Sequence, residues 1–145
     1  MSNLRVNGAS GVIYPSPVLP HNYHPGDELP RKDTFENDLI GIVIDSRLVG
    51  MGCTHGYGCD YYPGTIIRCT PSGSTIWVVD DRYEYIGPPR EYGDDGKPED
   101  WRYYRTDATV GKKATLRKDG KFRFVGEHGS SIALGFRRYR LDPHH

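Results

Sequence analysis

Three cysteines and a histidine fall within one short stretch, VGMGCTHGYGCDYYPGTIIRCT, at positions 49–70. Thiolates and imidazoles are ligands that zinc prefers, so Cys53, His55, Cys59 and Cys69 could in principle hold one ion. The spacing argues against this, because Cys-x-His and the gap to Cys59 do not match a zinc knuckle and no Cys-x-x-Cys pair is present. The pattern favours a glycine-rich loop between two strands, from Gly50 to Gly64, and no metal site.

The same stretch could also supply a thiol nucleophile. Cys53 and His55 are two residues apart, so on a strand they would share a face, and the thiol could meet the imidazole. Nothing in the sequence marks an oxyanion hole or a third catalytic member, and the phosphate-loop and dinucleotide fingerprints are absent. The sequence therefore predicts a protein that is not an enzyme and has no cofactor.

A second group of candidate residues lies in the basic and aromatic C-terminal part. The segments WRYYR at 101–105, LRKDGKFRF at 116–124 and GFRRYR at 135–140 alternate cations with rings. Rings stack on bases and guanidinium groups bind phosphate through two hydrogen bonds, so this mixture suits an anionic ligand. The predicted ligand-binding residues are Arg102, Tyr104, Arg117, Lys121, Arg123, Arg137 and Arg138.

This prediction requires the seven side chains to converge on one concave, outward-facing patch. The alternative is that arginine stems and tyrosines merely cover the outside of a small barrel, with Phe122 and Phe124 in its core. The sequence leaves both readings open.

The net charge of zero hides an asymmetry along the chain. Residues 1–100 carry 8 Lys and Arg against 15 Asp and Glu, whereas residues 101–145 carry 11 against 4. The cations of the last part therefore need a partner, either an anionic ligand or the acidic first part of the chain.

The composition and the turn signals predict an all-β fold. The 145 residues include 18 Gly and 11 Pro, and segments with strand character lie at 62–70, 74–80, 101–106 and 131–139. Residues 113–118 and 121–125 flank Asp119-Gly120, a strong two-residue hairpin signal. We expect a small SH3-like barrel or a strongly bent antiparallel sheet.

The N-terminal part of the chain differs from this domain in composition. Five prolines within residues 1–33 predict an extended arm, either disordered or laid as a strap over the domain or a second copy. The domain itself would span 34–145. Its first segment, TFENDLIGIVIDSRLV at 34–49, has a helical stripe but β-branched residues, and we lean towards one short helix.

Compartment and membrane contact follow from what the sequence lacks. No apolar run reaches the length of a membrane span, and the start MSNLRVNGAS is not a signal peptide. Three cysteines cannot all pair, which favours a reducing environment. We expect a cytoplasmic protein with no membrane partner.

Several motifs together resemble small uncharacterised proteins encoded by tailed phages and their prophages. The shared pattern comprises VGMG at 49–52, the TII strand at 65–67, Ser72-Gly73, LRKDGKF at 116–122, and Leu134-Gly135 with Arg137-Arg138 before Asp142-Pro143. The resemblance covers residues 49–143 and implies a phage accessory protein, a class that often inhibits or sequesters components of host defence.

Together these observations predict a non-catalytic protein that binds an anionic ligand and counteracts host defence. The ligand would be a nucleotide, a cyclic nucleotide signal or a nucleic acid, the location would be the host cytoplasm, and the protein would form a homo-oligomer. The alternative is a protein–protein inhibitor or structural module that docks a host defence protein without a small ligand.

Overall fold

The computed structural model describes residues 23–32, 44–57, 59–91, 94, 96–127 and 130–141. Within these ranges the chain is all-β, with nine strands and two single turns of 3-10 helix, at Ser46–Leu48 and Pro98–Asp100. The strands are β1 (Glu28–Leu29), β2 (Gly52–Tyr57), β3 (Asp60–Cys69), β4 (Thr75–Asp80), β5 (Arg82–Tyr85), β6 (Trp101–Tyr104), β7 (Lys112–Leu116), β8 (Phe122–Phe124) and β9 (Ile132–Leu134).

Six of these strands close into a barrel in the order β2-β3-β4-β7-β8-β9. Every pair is antiparallel, and β9 returns to β2 to complete the ring, with Cys53 opposite Leu134. Closure leaves none of these six strands with an open edge, which removes the aggregation hazard of a free strand. The predicted all-β fold with a small barrel is confirmed.

The barrel interior is filled by every second residue of its strands. Ile76 and Val78 of β4 face inwards, as do Phe122 and Phe124 of β8, while Arg123 between the two phenylalanines faces outwards. Both phenylalanines are at most 3% exposed. Burying side chains of this size contributes roughly 1.5–3 kcal/mol each, so the alternation itself drives the barrel to close.

The interpretation of Gly50–Gly64 as a loop is wrong. β2 occupies most of it and pairs with both β3 and β9. At two of its glycines, Gly56 and Gly64, neighbouring chain passes very close. A Cβ on Gly56 would lie 2.0 Å from the Asp60 carbonyl oxygen, and one on Gly64 would lie 2.9 Å from a methyl group of Val78. Composition alone suggests a turn here, but Gly56 and Gly64 mark tight packing within a sheet.

A second, three-stranded sheet in the order β1-β6-β5 lies beside the barrel. It has its own apolar cluster of Leu29, Trp101 and Tyr103. Tyr139, which follows the barrel, stacks on Tyr83 of β5 with ring centroids 3.7 Å apart. Burial and the hydrogen bond with Tyr83 raise the pKa of Tyr139, so its hydroxyl stays protonated at any physiological pH.

The described end of the predicted N-terminal arm belongs to this small sheet. Residues 1–22 and 33–43 lie outside the described ranges, but Glu28 and Leu29 pair with Tyr104 and Tyr103 of β6. The division of the chain at residue 33 therefore stays a prediction.

The predicted helix at 34–49 falls mostly outside the described ranges. The described part forms one 3-10 turn, which begins after Asp45, whose carboxylate accepts a hydrogen bond from the Arg47 amide at 2.8 Å.

Among the described residues, no helix has both the length and the apolar character needed to span a bilayer.

Candidate functional site

A cavity of about 420 Å³ opens on the outer side of β2, β3 and β9. The segment that follows β9 forms its remaining wall. The lining combines one cation, two aromatic rings, two hydroxyls and two small residues. These are Arg138, Tyr61, Phe136, Thr54, Ser131, Gly56 and Ala133.

Hydrogen bonds from two strands hold the segment after β9 in place. The Thr54 hydroxyl of β2 donates to the Phe136 carbonyl at 2.9 Å. The amides and carbonyls of Tyr61 and Arg140 exchange two hydrogen bonds, at 2.7 and 2.9 Å. Arg138 lies between these two attachment points, so its backbone is fixed on both sides and its side chain is presented to the cavity.

The cavity lining combines a cation with two aromatic rings. The guanidinium carbon of Arg138 lies 5.8 Å from the centroid of the Tyr61 ring, and Phe136 is 37% exposed. Among the described residues, no carboxylate forms an ion pair with Arg138. Its donors are therefore available to an anion, and the two rings can contact a flat apolar group.

The two predicted site residues on β6 are engaged within the small sheet. Arg102 forms an ion pair with Glu28 at 3.2 Å, and the Tyr104 hydroxyl donates to Glu84 at 3.2 Å. The guanidinium carbon of Arg82 lies 4.2 Å from the centroid of the Tyr104 ring. Arg102 also borders a smaller cavity of about 170 Å³.

Three predicted residues lie at the β7–β8 hairpin. Arg117 donates to the Thr115 hydroxyl at 3.0 Å, and Arg123 forms an ion pair with Asp119 at 2.7 Å. Lys121 is exposed. Hydrogen bonds from the Arg123 side chain and from the Lys121 amide hold the pKa of Asp119 below its usual range.

Arg137 cannot meet a ligand at the surface, because its side chain is fully buried. Its Nε donates to Asp81 at 2.8 Å, Nη2 to the Thr65 hydroxyl at 2.9 Å and Nη1 to the Pro30 carbonyl at 2.8 Å. Burial raises the pKa of Asp81 against the opposing effect of the Arg137 charge. The assignment of Arg137 to ligand binding is corrected to a structural role.

The seven predicted residues therefore do not converge on one patch. Four of them contact carboxylates, and three of those carboxylates, Glu28, Asp81 and Glu84, come from the acidic first part of the chain. Some cations of the last part of the chain thus pair with carboxylates of the acidic first part, which was the alternative that the charge asymmetry suggested. Arg138 is the predicted residue at the larger cavity.

Cys53, His55, Cys59 and Cys69 are not among the described residues that line this cavity. Cys53 is fully buried in the barrel, Cys59 is exposed at the β2–β3 turn, and the Cys69 thiol faces the Asp45 carbonyl at 3.8 Å. In the part of the chain that the structure describes, no three His, Cys, Asp or Glu side chains gather as a metal site would require.

His55 of β2 has a carboxylate partner, Asp80 of β4. Its Nε2 lies 2.8 Å from Asp80 Oδ1, and its ring meets the Phe124 ring edge-on at 5.1 Å between centroids. The hydrogen bond from His55 lowers the pKa of Asp80.

Tyr61 and Phe136 were missed in the sequence analysis. Phe136 stands two positions before Arg138, so in an extended segment both side chains point the same way. That spacing within GFRRYR was a usable signal. Tyr61 offered none, because its position opposite Arg140 depends on the pairing of distant segments.

No protein-family model, no curated protein and no solved structure matches this chain.

Proposed function

We propose that this protein is a non-catalytic binding protein for a small anionic ligand with a flat ring, of the nucleotide class. The ligand occupies the cavity between β2, β3, β9 and the segment after β9. The observation that carries the proposal is an arginine without an ion-pair partner among the described residues, Arg138, beside the Tyr61 and Phe136 rings.

Size and chemistry both support a ligand of this class. The cavity volume of about 420 Å³ lies within the range of roughly 300–1,000 Å³ that small-molecule sites occupy. A guanidinium group presents a rigid fork of donors that matches phosphate oxygens, whereas the two rings offer stacking or edge contacts to a base. The Ser131 hydroxyl adds a further polar contact on the same lining.

The biological setting rests on the motifs at residues 49–143 that resemble phage and prophage proteins. A phage protein that holds a nucleotide, or a cyclic nucleotide signal, in the host cytoplasm removes that molecule from a defence pathway. Sequestration needs affinity and copy number but no catalytic group.

Binding can be tested by titration calorimetry with nucleoside monophosphates, triphosphates and cyclic dinucleotides. Arg138→Gln removes the charge and should weaken the best ligand by roughly 10- to 150-fold, since a hydrogen bond to a charged group contributes about 1.5–3 kcal/mol. Arg117→Gln, a surface variant with the same charge change, should leave affinity within twofold. Equal losses in both variants would refute the site.

A second candidate function is docking of another protein, either a host protein or a second copy. β5 forms one edge of the small sheet; Tyr83 within it is 38% exposed, and Ile86 just after it is 46% exposed. Sedimentation velocity would report an oligomer that Ile86→Glu dissociates, whereas Val110→Glu, at an 87% exposed position, leaves it intact. A monomer at all concentrations would remove self-association.

A further inference from the structure

The outer face of β3, β4, β7 and β8 carries a second cationic and aromatic surface. Arg68, Trp77 and Lys113 are direct cross-strand neighbours in one row. On β4 the residues on either side of Trp77, Ile76 and Val78, are buried in the barrel, so the indole lies on the opposite, outer side. We infer that this face binds single-stranded nucleic acid, independently of the Arg138 cavity.

Unbalanced positive charge supports a polyanionic partner. The β7–β8 hairpin, residues 112–123, contains one acidic residue, Asp119. It contains six cations, Lys112, Lys113, Arg117, Lys118, Lys121 and Arg123. Lys112 pairs with Glu127 and Arg123 with Asp119, whereas the other four cations form no ion pair with the described residues. Such a concentration of charge attracts phosphate groups and is repelled by other cationic surfaces.

The aromatic group in the same row favours nucleic acid over other polyanions. The guanidinium carbon of Arg68 lies 4.0 Å from the centroid of the Trp77 ring, so a cation and an indole already form one stacked unit. Proteins that bind single strands combine a cationic track for the backbone with rings on which bases stack. Stacking on the indole is the contact that distinguishes a strand with bases from a polyanion that has none.

The geometry allows several phosphate contacts at once. Four strands spaced about 4.8 Å apart give a face about 14 Å wide. A second outer row, with Thr75, Thr115 and Arg123 paired across β4, β7 and β8, lies beside the first. Arg117 reaches this row through its hydrogen bond to Thr115. Arg68, Lys113 and Arg117 therefore supply three cations to one face, and Arg123 adds a fourth when phosphate replaces its Asp119 partner.

Fluorescence anisotropy of labelled dT20 measures this binding in the full chain. Four phosphate contacts to a single strand predict a slope of about −2.8 for log affinity against log salt, or about 50-fold weaker binding between 50 and 200 mM. Dissociation constants above about 10⁻⁴ M at 50 mM salt, where non-specific binders exceed this affinity, would overturn the proposal.

Matched charge reversals locate the surface. Lys113→Glu should weaken dT20 binding at least about eightfold at 50 mM salt. One phosphate contact contributes about −0.7 to the slope, which corresponds to about eightfold in affinity between 1 M and 50 mM salt. Lys97→Glu changes the net charge equally at an exposed position outside the hairpin and should stay within twofold. Equal losses in the two variants would mean that net charge alone attracts the strand, which overturns the assignment of this face.

Base contact is tested at Trp77 with heparin as a polyanion without bases. Trp77→Leu should weaken dT20 by about 5- to 150-fold and leave heparin affinity unchanged. In the unmodified protein, dT20 but not heparin should quench tryptophan emission, a readout that holds even where the variant fails to fold. The other tryptophan, Trp101, is only 6% exposed and contributes little to such quenching. Equal quenching by both, or by neither, would overturn nucleic acid as the partner.

Two variants distinguish failure of the nucleotide site from failure of the nucleic-acid surface. Arg138→Gln should reduce nucleotide binding without changing dT20 affinity, and Lys113→Glu should do the reverse. If Arg138→Gln weakened dT20 as much as Lys113→Glu does, a separate surface on β3, β4, β7 and β8 would be refuted.

Discussion

The buried ion pair between Arg137 and Asp81 offers the sharpest test of how this fold is held together. Both side chains are 0% exposed, and Arg137 also donates to the Thr65 hydroxyl and the Pro30 carbonyl. Arg137→Met keeps much of the side-chain volume but removes the charge and all three of these hydrogen bonds. Asp81 then keeps a single hydrogen bond among those described, from Thr65 at 2.7 Å.

The expected loss of stability follows from the buried Asp81 carboxylate that remains without its Arg137 partner. Breaking a buried pair by removing one partner leaves an uncompensated charge and typically costs about 3–5 kcal/mol. A domain of this size has a free energy of unfolding of about 5–15 kcal/mol, so the variant should lose about a fifth or more of its stability. The double variant Arg137→Met with Asp81→Leu removes both charges and should recover about half of that loss or more, because an apolar pair often substitutes well for a buried ion pair.

Urea unfolding of the four proteins in this cycle gives the coupling energy directly. Arg117→Met, the same substitution at an exposed hairpin position, should change the free energy of unfolding by less than about 0.5 kcal/mol. A loss below about 1 kcal/mol for Arg137→Met, or additive losses in the double variant, would show that the pair does not hold the fold in the way its geometry indicates.

Three further variants probe other features. The hydrogen bond from His55 lowers the pKa of Asp80, so its contribution is present above about pH 4 and is lost as the pH falls through the lowered pKa. Asp80→Asn should thus reduce the free energy of unfolding by less than about 1 kcal/mol at pH 7, and denaturant titrations should show this difference shrinking as the pH falls below about 4. Gly64→Ala should cost about 1–3 kcal/mol, since its Cβ would overlap β4; an unchanged thermal midpoint would contradict that packing. Phe122→Ala should cost about 3–5 kcal/mol by chemical unfolding, against almost nothing for Val125→Ala at a 53% exposed site, and similar losses in both would contradict the assigned core.

Local sequence signals predicted the elements whose structure depends mainly on neighbouring residues. Asp119-Gly120 located the β7–β8 hairpin, and Phe122 and Phe124 flank an outward Arg123 as period-two alternation requires. The barrel followed from several short strands joined by turns. β5 was missed because Arg82–Tyr85 is short and has no buried position to create an alternating pattern.

The candidate site depended on pairings that no local rule supplies. Arg138 was identified as a cation, but its cavity exists because Tyr61 pairs with Arg140 and Thr54 bonds to Phe136. Arg137 looks like a surface cation by type, and only its meeting with Asp81, 56 positions away, makes it a core residue. The sequence showed which cationic and aromatic side chains are present. Contacts between distant segments determined which of them are engaged in ion pairs and hydrogen bonds.

Closure of the barrel joins segments that are far apart along the chain. The Thr54–Phe136 hydrogen bond spans 82 positions, and the Arg137–Pro30 bond spans 107. β9 is the last described strand in the sequence and pairs with β2, so the barrel cannot close before β9 has been synthesised. Folding on the millisecond-to-second scale, rather than in microseconds, is the kinetic consequence of this topology, and a chaperone that covers the exposed edge of β2 would raise the yield.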